Sequence, residues 1–398
     1  MIQKVVLIGC GIHYREKYHD ILQKRNVEIV LLIDLKQNEG VIRSFFQIQP
    51  KHFLFLDECH RNSPSIEHIE ALIMGIDLSG VAAALICTEP KVRKIYAIWA
   101  ARHGWDLFMD KPIVAFKGLE NIDSLQNDVD EIITAVNTYK VRAVVSCERR
   151  AHLGYEWLQE RIKERPPLTS IDIHFAGGVW KTPFEYASDE NHPFRYGYGI
   201  LLHSGYHYID LLARWLESPD KMSIQVMASS PFEGYGEADF LMIGDAFSEG
   251  IGKTHFAMKL FGTSLSNRCS EETTSKLEGR IRQEKITLHF GHLSSVHIQS
   301  IAYKKFLPHE YPVEEFSVTI MNSPLLKGAQ PLIRLHREDF SALFPELPLT
   351  ASMNTFSRRW QLKEFLEGRD GNSPLISHRD TMKLLHNIYT LLRTRQEV

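Results

Sequence analysis

A strand that runs straight into a glycine turn constrains this chain more than any other feature. Lys4-Val5-Val6-Leu7-Ile8 is a β-branched and aliphatic run of the kind that fills a strand buried on both faces, and Gly9-Cys10-Gly11 follows at once. The residues from Tyr14 to Lys24 then read as a helix, and Val27 to Ile33 as a second strand ending at Asp34. Strand, glycine turn, helix, strand and terminal acid make a βαβ unit. Each part has a physical task. Gly9 permits the tight turn, and Gly11 lets backbone approach a pyrophosphate. Ile12 leads into a helix whose unpaired N–H groups face that anion. Asp34, about twenty residues on, accepts hydrogen bonds from a ribose diol. Tyr14 stands at the third glycine position, where a ring either pushes the helix off the strand or points outward. Such a turn also serves α/β proteins in general, and methyltransferases use a similar turn and acid, so the motif leaves the ligand open.

The rest of the chain decides the class. Its 398 residues correspond to two or three domains at about 150 residues each. With 44% apolar and 24% charged residues, it has the composition of a folded globular protein. A net charge of −3 and a pI near 6.7 offer nothing to nucleic acid or an anionic membrane. No apolar run approaches the roughly 18 residues of a spanning helix, and the N-terminal run is too short for a signal peptide. The five cysteines lie far apart without a Cys-x-x-Cys pair, which argues against a disulfide framework or a thiolate zinc site. The expectation is a cytoplasmic protein.

Gly80 to Cys87 reads as another buried strand, closed by Thr88-Glu89-Pro90. A helix from about Val92 to His103 follows, stopped at Gly104, and then a strand, Trp105 to Met109, closed by Asp110-Lys111-Pro112. Alternating strands and helices imply a parallel sheet with helices on both faces, and ligands of such sheets sit outside the strands' carboxyl ends. Gly9, Gly11, Asp34, Thr88, Pro90 and Lys111 thereby fall along one rim.

These rim segments, with Gly199-Ile200-Leu201-Leu202-His203-Ser204-Gly205-Tyr206-His207-Tyr208-Ile209-Asp210, resemble the glucose-fructose oxidoreductase/inositol dehydrogenase (Gfo/Idh/MocA) family. Thr88-Glu89-Pro90 stands for that family's Thr-Pro-Pro-like turn, and Asp110-Lys111-Pro112 for its Glu-Lys-Pro motif. The tail, with Phe365 to Gly368 and Ser377 to Asp380, looks like the family's closing helix. Two departures stand out besides Tyr14: Asp110 replaces a glutamate, and His203 replaces an aspartate that orients substrate. The resemblance implies an N-terminal Rossmann-type dinucleotide-binding domain over residues 1–122. An α+β domain with an open, mostly antiparallel sheet then spans residues 123–398, its C-terminal helix packing back on the first domain. It also implies a homo-oligomer, dimer or tetramer, built through that second sheet.

The implied activity is nicotinamide-dependent hydride transfer at a hydroxyl-bearing carbon of a sugar, cyclitol or related small molecule. That needs a held cofactor, a base and positive charge near the developing alkoxide. The resemblance assigns the charge to Lys111 and the base to His207. His203 lies one helical turn from His207 as a catalytic or substrate-binding group, and Arg149 and Tyr196 become substrate contacts. Cofactor contacts fall to Gly9, Gly11, Ile12, Asp34, Thr88, Pro90, Asp110 and Lys111. Asp34 favours NAD by repelling a 2′-phosphate, while nearby Lys36 and Arg43 keep NADP as second choice. The His203/His207 spacing matches a zinc helix, but no third ligand is obvious, and no metal is expected. Loss of the aspartate leaves a non-catalytic nucleotide-binding protein as the alternative. Around residues 123–398 the sequence predicts strands at Val141–Ser146, Leu168–Ala176, Ile286–Phe290 and Val296–Ser300, and a helix over Tyr155–Glu164. Residues 229–285 read as a polar, glycine-dotted loop insertion.

Overall fold

A computed structural model of the chain describes residues 2–60, 65–116, 121–163, 165–177, 199–217, 219, 221–229, 239–249, 252–261, 281–303, 314–326, 328–345 and 352–396. Tyr196 lies outside these residues. The chain divides into two units by packing. One comprises 1–116, 123–151 and 357–382, and the other 117–122, 152–356 and 383–398.

The first unit is built on six parallel strands. They are β1 (Lys4–Ile8), β2 (Glu28–Leu35), β3 (His52–Leu56), β4 (Ala83–Ile86), β5 (Asp106–Asp110) and β6 (Ala143–Ser146). Their order across the sheet is β3-β2-β1-β4-β5-β6, that of a doubly wound dinucleotide-binding fold. β1, β4 and β6 are buried along nearly their whole length, as expected of strands covered on both faces. The strand at Val141–Ser146 therefore belongs to this sheet, beyond residue 122, with Leu107 opposite Ala143 and Asp110 opposite Ser146.

The predicted Tyr14–Lys24 helix is two short ones, α1 (Ile12–Lys17) and α2 (His19–Lys24). Tyr14 does not point outward: its ring is fully buried with Cys10, Leu32, Ile42 and Phe46. Tyr18 is equally buried, its ring edge-on to Phe108 at 5.4 Å. Two aromatic side chains, one turn apart, are thus accommodated where a glycine would let a single helix lie flat. The remaining helices of this unit include α3 (Glu39–Phe45), α4 (Ile66–Ile73), α5 (Pro90–Arg102) and α6 (Ser124–Tyr139). Residues 357–382 return to this unit, where Leu362, Phe365 and Leu366 join Val5, Leu7 and Phe108 in one apolar cluster. Each such large side chain, fully buried, contributes about 1.5–3 kcal/mol.

The second unit holds α7 (Leu153–Ile162), a helix at Tyr206–Leu216, and an eight-stranded sheet. Its strands are β7 (Ser170–Ala176), β8 (Lys221–Ser229), β9 (Asp239–Ser248), β10 (Gly252–Phe261), β11 (Ile281–Phe290), β12 (Ser294–Tyr303), β13 (Glu314–Asn322) and β14 (Leu332–His336). They run in the order β14-β13-β12-β11-β7-β10-β9-β8, all neighbours antiparallel except β7 with β10. Residues 229–285 are accordingly not one loop-rich insertion: β9 and β10 lie inside them and pair over ten residues. Their polar appearance comes from alternation, one face buried and the other open. Phe256, Met258 and Leu260 are buried on β10, while Lys253, His255 and Lys259 are exposed. Among the described residues, no helix is long and apolar enough to cross a membrane.

Candidate functional site

In the first unit β1 and β4 are neighbours although they are not consecutive, so the strand order reverses there and a crevice opens at their carboxyl ends. The chain leaves β1 through Gly9, whose φ is +85°. A Cβ at Gly9 would lie 2.9 Å from the backbone of Cys87 and Thr88, so glycine is required twice over, by conformation and by space. Gly11 is the opposite case. A Cβ there would meet nothing within 4 Å, and both Gly11 and Ile12 are exposed on the rim. That leaves open space beside the backbone that precedes α1.

Asp34, at the end of β2, is fixed by protein donors. Its Oδ2 accepts from the backbone N–H of Cys10 at 2.6 Å, and its Oδ1 from Leu35 N–H and Asn38 Nδ2, both at 2.7 Å. Each carboxylate oxygen can take two hydrogen bonds, so Oδ2 keeps acceptor capacity. Two nearby cations could soften its charge, and both lie beside other carboxylates. Lys36 is 3.9 Å from Asp57, and Arg43 pairs with Glu39 at 2.8 Å while its guanidinium lies 4.4 Å from the Phe53 ring centre. Thr88 Oγ1, beside the Gly9 turn, is buried with no hydrogen-bond partner among the described residues, which costs about 1–3 kcal/mol unless something else supplies one. Pro90 opens α5.

Asp110 ends β5 and is 9% exposed. Its Oδ1 accepts from the Tyr18 hydroxyl at 2.6 Å, and that hydroxyl lies 2.7 Å from Ser146 Oγ at the end of β6. His13 Nε2 is 3.6 Å from the same carboxylate oxygen. Burial pushes the His13 imidazole down to about 4 against the pull of Asp110, with Arg358 and Lys111 adding to the downward push. The 42% of its side chain that stays exposed moderates that desolvation. Burial likewise holds the Tyr18 phenol protonated far above its usual range. Lys111 follows at once and is half-buried. Arg149 lies after β6, nearly buried and 3.9 Å from Glu148, which is also paired with Arg358. Arg150, its neighbour, is tied to the Ser377 carbonyl at 2.9 Å.

In the second unit His203 and His207 do not share one regular helix. Residues Leu201–Gly205 form a π-helical turn that passes into the helix Tyr206–Leu216. Such turns often carry functional side chains. His203 is half-buried with Nδ1 3.0 Å from Ser204 Oγ, whereas His207 is 4% exposed. Gly205 lets this turn approach β10, since a Cβ there would lie 2.7 Å from Leu260. Among the described residues no group of three or more His, Cys, Asp and Glu could hold a metal ion.

Three contributors escape a motif reading. Asn38 holds Asp34, Tyr18 holds Asp110, and Arg93 holds the rim itself. The Arg93 guanidinium, 2% exposed, donates to the carbonyls of Thr88 (2.5 Å), Asp110 and Pro112. The sequence signal for Arg93 is its place as a cation on the same helical face as Tyr96, Ala97 and Ala100.

No protein-family model and no curated protein sequence matches the chain. Solved structures do. The WlbA dehydrogenase from Bordetella pertussis, solved in complex with NADH and UDP-GlcNAcA, superposes with a TM-score of 0.62 at 14% identity, covering 98% of this chain and 95% of that one. A dehydrogenase from Chromobacterium violaceum gives 0.60 at 12%, covering 100% and 98%. The aldose-aldose oxidoreductase from Caulobacter crescentus, complexed with glycerol, gives 0.61 at 12%, covering 99% and 98%. At such identities the likeness is one of fold: the chain has, over its whole length, the two-sheet architecture of these oxidoreductases.

Proposed function

We propose that the chain is a Gfo/Idh/MocA-type oxidoreductase that binds NAD and transfers a hydride from a hydroxyl-bearing carbon, or to the matching carbonyl carbon, of a sugar, cyclitol or related compound. The observation that carries this is the rim of the parallel sheet. There the Gly9 turn, the open backbone at Gly11, the fixed Asp34 carboxylate and the Thr88 hydroxyl surround the β1/β4 switch point. These residues fit a dinucleotide: Gly11 leaves room for a pyrophosphate, Asp34 keeps acceptor capacity for a ribose diol, and the Thr88 hydroxyl has no partner among the described residues. The architecture shared with the WlbA dehydrogenase, itself solved with NADH, supports the same reading.

When bound, the nicotinamide supplies the hydride acceptor or donor. The chain's own groups do the rest. Lys111 places an ammonium beside the developing alkoxide, while Ile12, Pro90 and Asp110 line the cofactor's side of the rim. His207 takes the hydroxyl proton, His203 and Tyr196 contact the substrate, and Arg149 meets an anionic substituent. His203 accepts one hydrogen bond where a carboxylate would accept more and repel anions, which favours an acidic or phosphorylated ligand over a neutral polyol. NAD is preferred to NADP because Asp34 would repel a 2′-phosphate, while Arg43, the better placed of the nearby cations, pairs with Glu39 and packs on Phe53. The open sheet of the second unit serves to join copies of the chain.

The test is direct. NADH fluorescence titration measures binding, and a panel of sugars, aminosugars and nucleotide sugars scored for NAD reduction finds the substrate. Lys111→Ala should leave NADH affinity nearly intact and lower turnover by roughly a hundredfold, the scale of a lost electrostatic contact. No NADH binding would defeat the whole reading. Binding without turnover on any panel member would favour the non-catalytic nucleotide binder.

A further inference from the structure

Lys111 owes its place to its neighbours' carbonyl groups. The carbonyls on either side of it, those of Asp110 and Pro112, both accept from one terminal nitrogen of Arg93, and the other terminal nitrogen donates to Thr88 O at 2.5 Å. Arg93 comes from α5, whose first residue is Pro90, so a single buried guanidinium joins the segment after β4 to the segment after β5. A guanidinium suits this work. It is planar, always charged, and presents several N–H donors in a fixed fork, which a lysine ammonium cannot reproduce. The side of this segment away from Arg93 is fixed independently. The Asp110 carboxylate accepts from Tyr18, which is itself next to Ser146 on β6.

We propose that Arg93 is the positioning residue for Lys111: it acts through the main chain on both sides of the lysine and couples that lysine to the Thr88 turn. The inference rests on reading Lys111 as the charge-bearing group of the site, but Arg93's effect on Lys111 is measurable without cofactor or substrate. Arg93 is 2% exposed, and its role is to hold still the backbone from which Lys111 and Thr88 project. Small displacements of a positioned group can cost up to a hundredfold in rate, so such a clamp has catalytic consequences.

The experiment uses the full chain with its lysines ¹³C-methylated, the Lys111 signal being assigned by its loss in Lys111→Arg. The signal's chemical shift and linewidth are recorded at one pH without cofactor in the wild type, Arg93→Lys and Arg93→Met. Arg93→Met should shift and narrow the Lys111 signal towards that of an exposed, mobile lysine, and weaken NADH binding through the Thr88 turn. Turnover on the substrate found by the panel should fall by roughly 10- to 100-fold. Arg93→Lys, which keeps the charge, should fall between wild type and Arg93→Met, because one ammonium cannot serve both sets of carbonyls. A folded Arg93→Met that melts earlier, yet keeps the wild-type Lys111 linewidth and NADH affinity, would overturn the proposal and leave Arg93 a purely structural residue. Should Arg93→Met not fold, Arg93→Lys decides alone: an unchanged Lys111 linewidth and NADH affinity overturn it, and a narrowed signal supports it. If the wild type binds no NADH, the functional reading fails while the Lys111 signal still judges Arg93.

Discussion

The two sheets handle polar chemistry in opposite ways. In the parallel sheet, strands such as β4 and β6 are wholly buried, so functional groups can appear only where a strand ends. Its site is a rim of short contiguous segments, Gly9 to Ile12, Thr88 to Pro90 and Asp110 to Pro112. In the second sheet every other residue faces outward, and polar groups spread across the width of the face. Ser170, Asp172, Ser223, Gln225, Asp245, His255 and His289 line a hollow of about 430 Å³ on that open face. They come from five strands and more than a hundred residues of sequence, assembled only by register. Ser223, Asp245, His255, Ser170 and His289 are successive cross-strand partners. A buried sheet concentrates its chemistry into motifs, and a half-open sheet disperses it.

The sharpest way to break this comparison is at the glycine turn. Gly9→Ala places a Cβ against the Cys87–Thr88 peptide backbone and forces a left-handed φ, so neither strain nor clash can relax cheaply. It should cost about 3–4 kcal/mol of stability and abolish NADH binding, read by chemical denaturation and fluorescence titration. Gly11→Ala, with open space and a φ of −64°, should leave stability within about 0.5 kcal/mol while weakening NADH. Equal loss of stability in both variants would contradict the assignment of Gly11 to ligand approach.

Alternation in the second sheet is tested by adjacent residues on β7. Ile173 is fully buried and Asp172 exposed. Ile173→Ala should cost about 2–5 kcal/mol, whereas Asp172→Ala should stay within about 0.5 kcal/mol. A large loss at Asp172 in dilute monomer would mean that the outer face is not open. If loss appears only in the oligomer, measured by concentration-dependent denaturation, the proposed joining of copies through this face gains support.

This contrast also explains what the sequence discloses. Strand, turn and acid are legible in the first sheet because their meaning is local: Gly9, Gly11 and Asp34 need only chain order. The split of α1 from α2 is not legible, since Tyr18 is held by Asp110, 92 residues away. Nor is the membership of β6, whose hydrophobic run suits either sheet until it pairs with β5. β9 and β10 look like loop because half their residues are polar by design of a one-sided strand. His203 and His207 are visible as a pair, but the π-helical turn that carries His203, with Gly205 close against Leu260 of β10, is not.

Within the rim, Asp34 sharpens the comparison by roughly tenfold effects. Three donors hold its carboxylate, so Asp34→Ala frees the Cys10 N–H and Asn38 amide towards whatever binds there. NAD affinity should fall by about 1–2 kcal/mol while NADP loses a repulsion, narrowing the gap between them. Side-by-side titrations check this, and tighter NADP binding by the wild type would reject the selectivity assigned to Asp34.

The smallest effects are those of pH. Burial holds His13 down to about 4, and holds His174 and His297 below their usual value. A histidine whose folded pKa is depressed is protonated first in the unfolded chain, so acid favours unfolding. Its contribution to stability is complete above about 6.5 and is lost as pH falls from there, down to about 4 for His13. The depressed carboxylates, among them Asp245 and Glu367, act later: their stabilisation is present above ordinary carboxylate values of 3.8 and 4.5 and fades only below them. The interval from pH 6.5 to about 4.5 therefore belongs to the histidines. In that interval His13→Gln should flatten the acid loss of stability more than His174→Gln does. The His13 imidazole is packed edge-on to Tyr18 and faces Lys111 and Arg358, whereas His174 stands on the open sheet face beside Lys259 and Lys285. Denaturant midpoints at pH 7 and pH 5 measure it. If His13→Gln retains the full acid loss while His174→Gln removes it, the open face and not the rim carries the acid sensitivity of this protein.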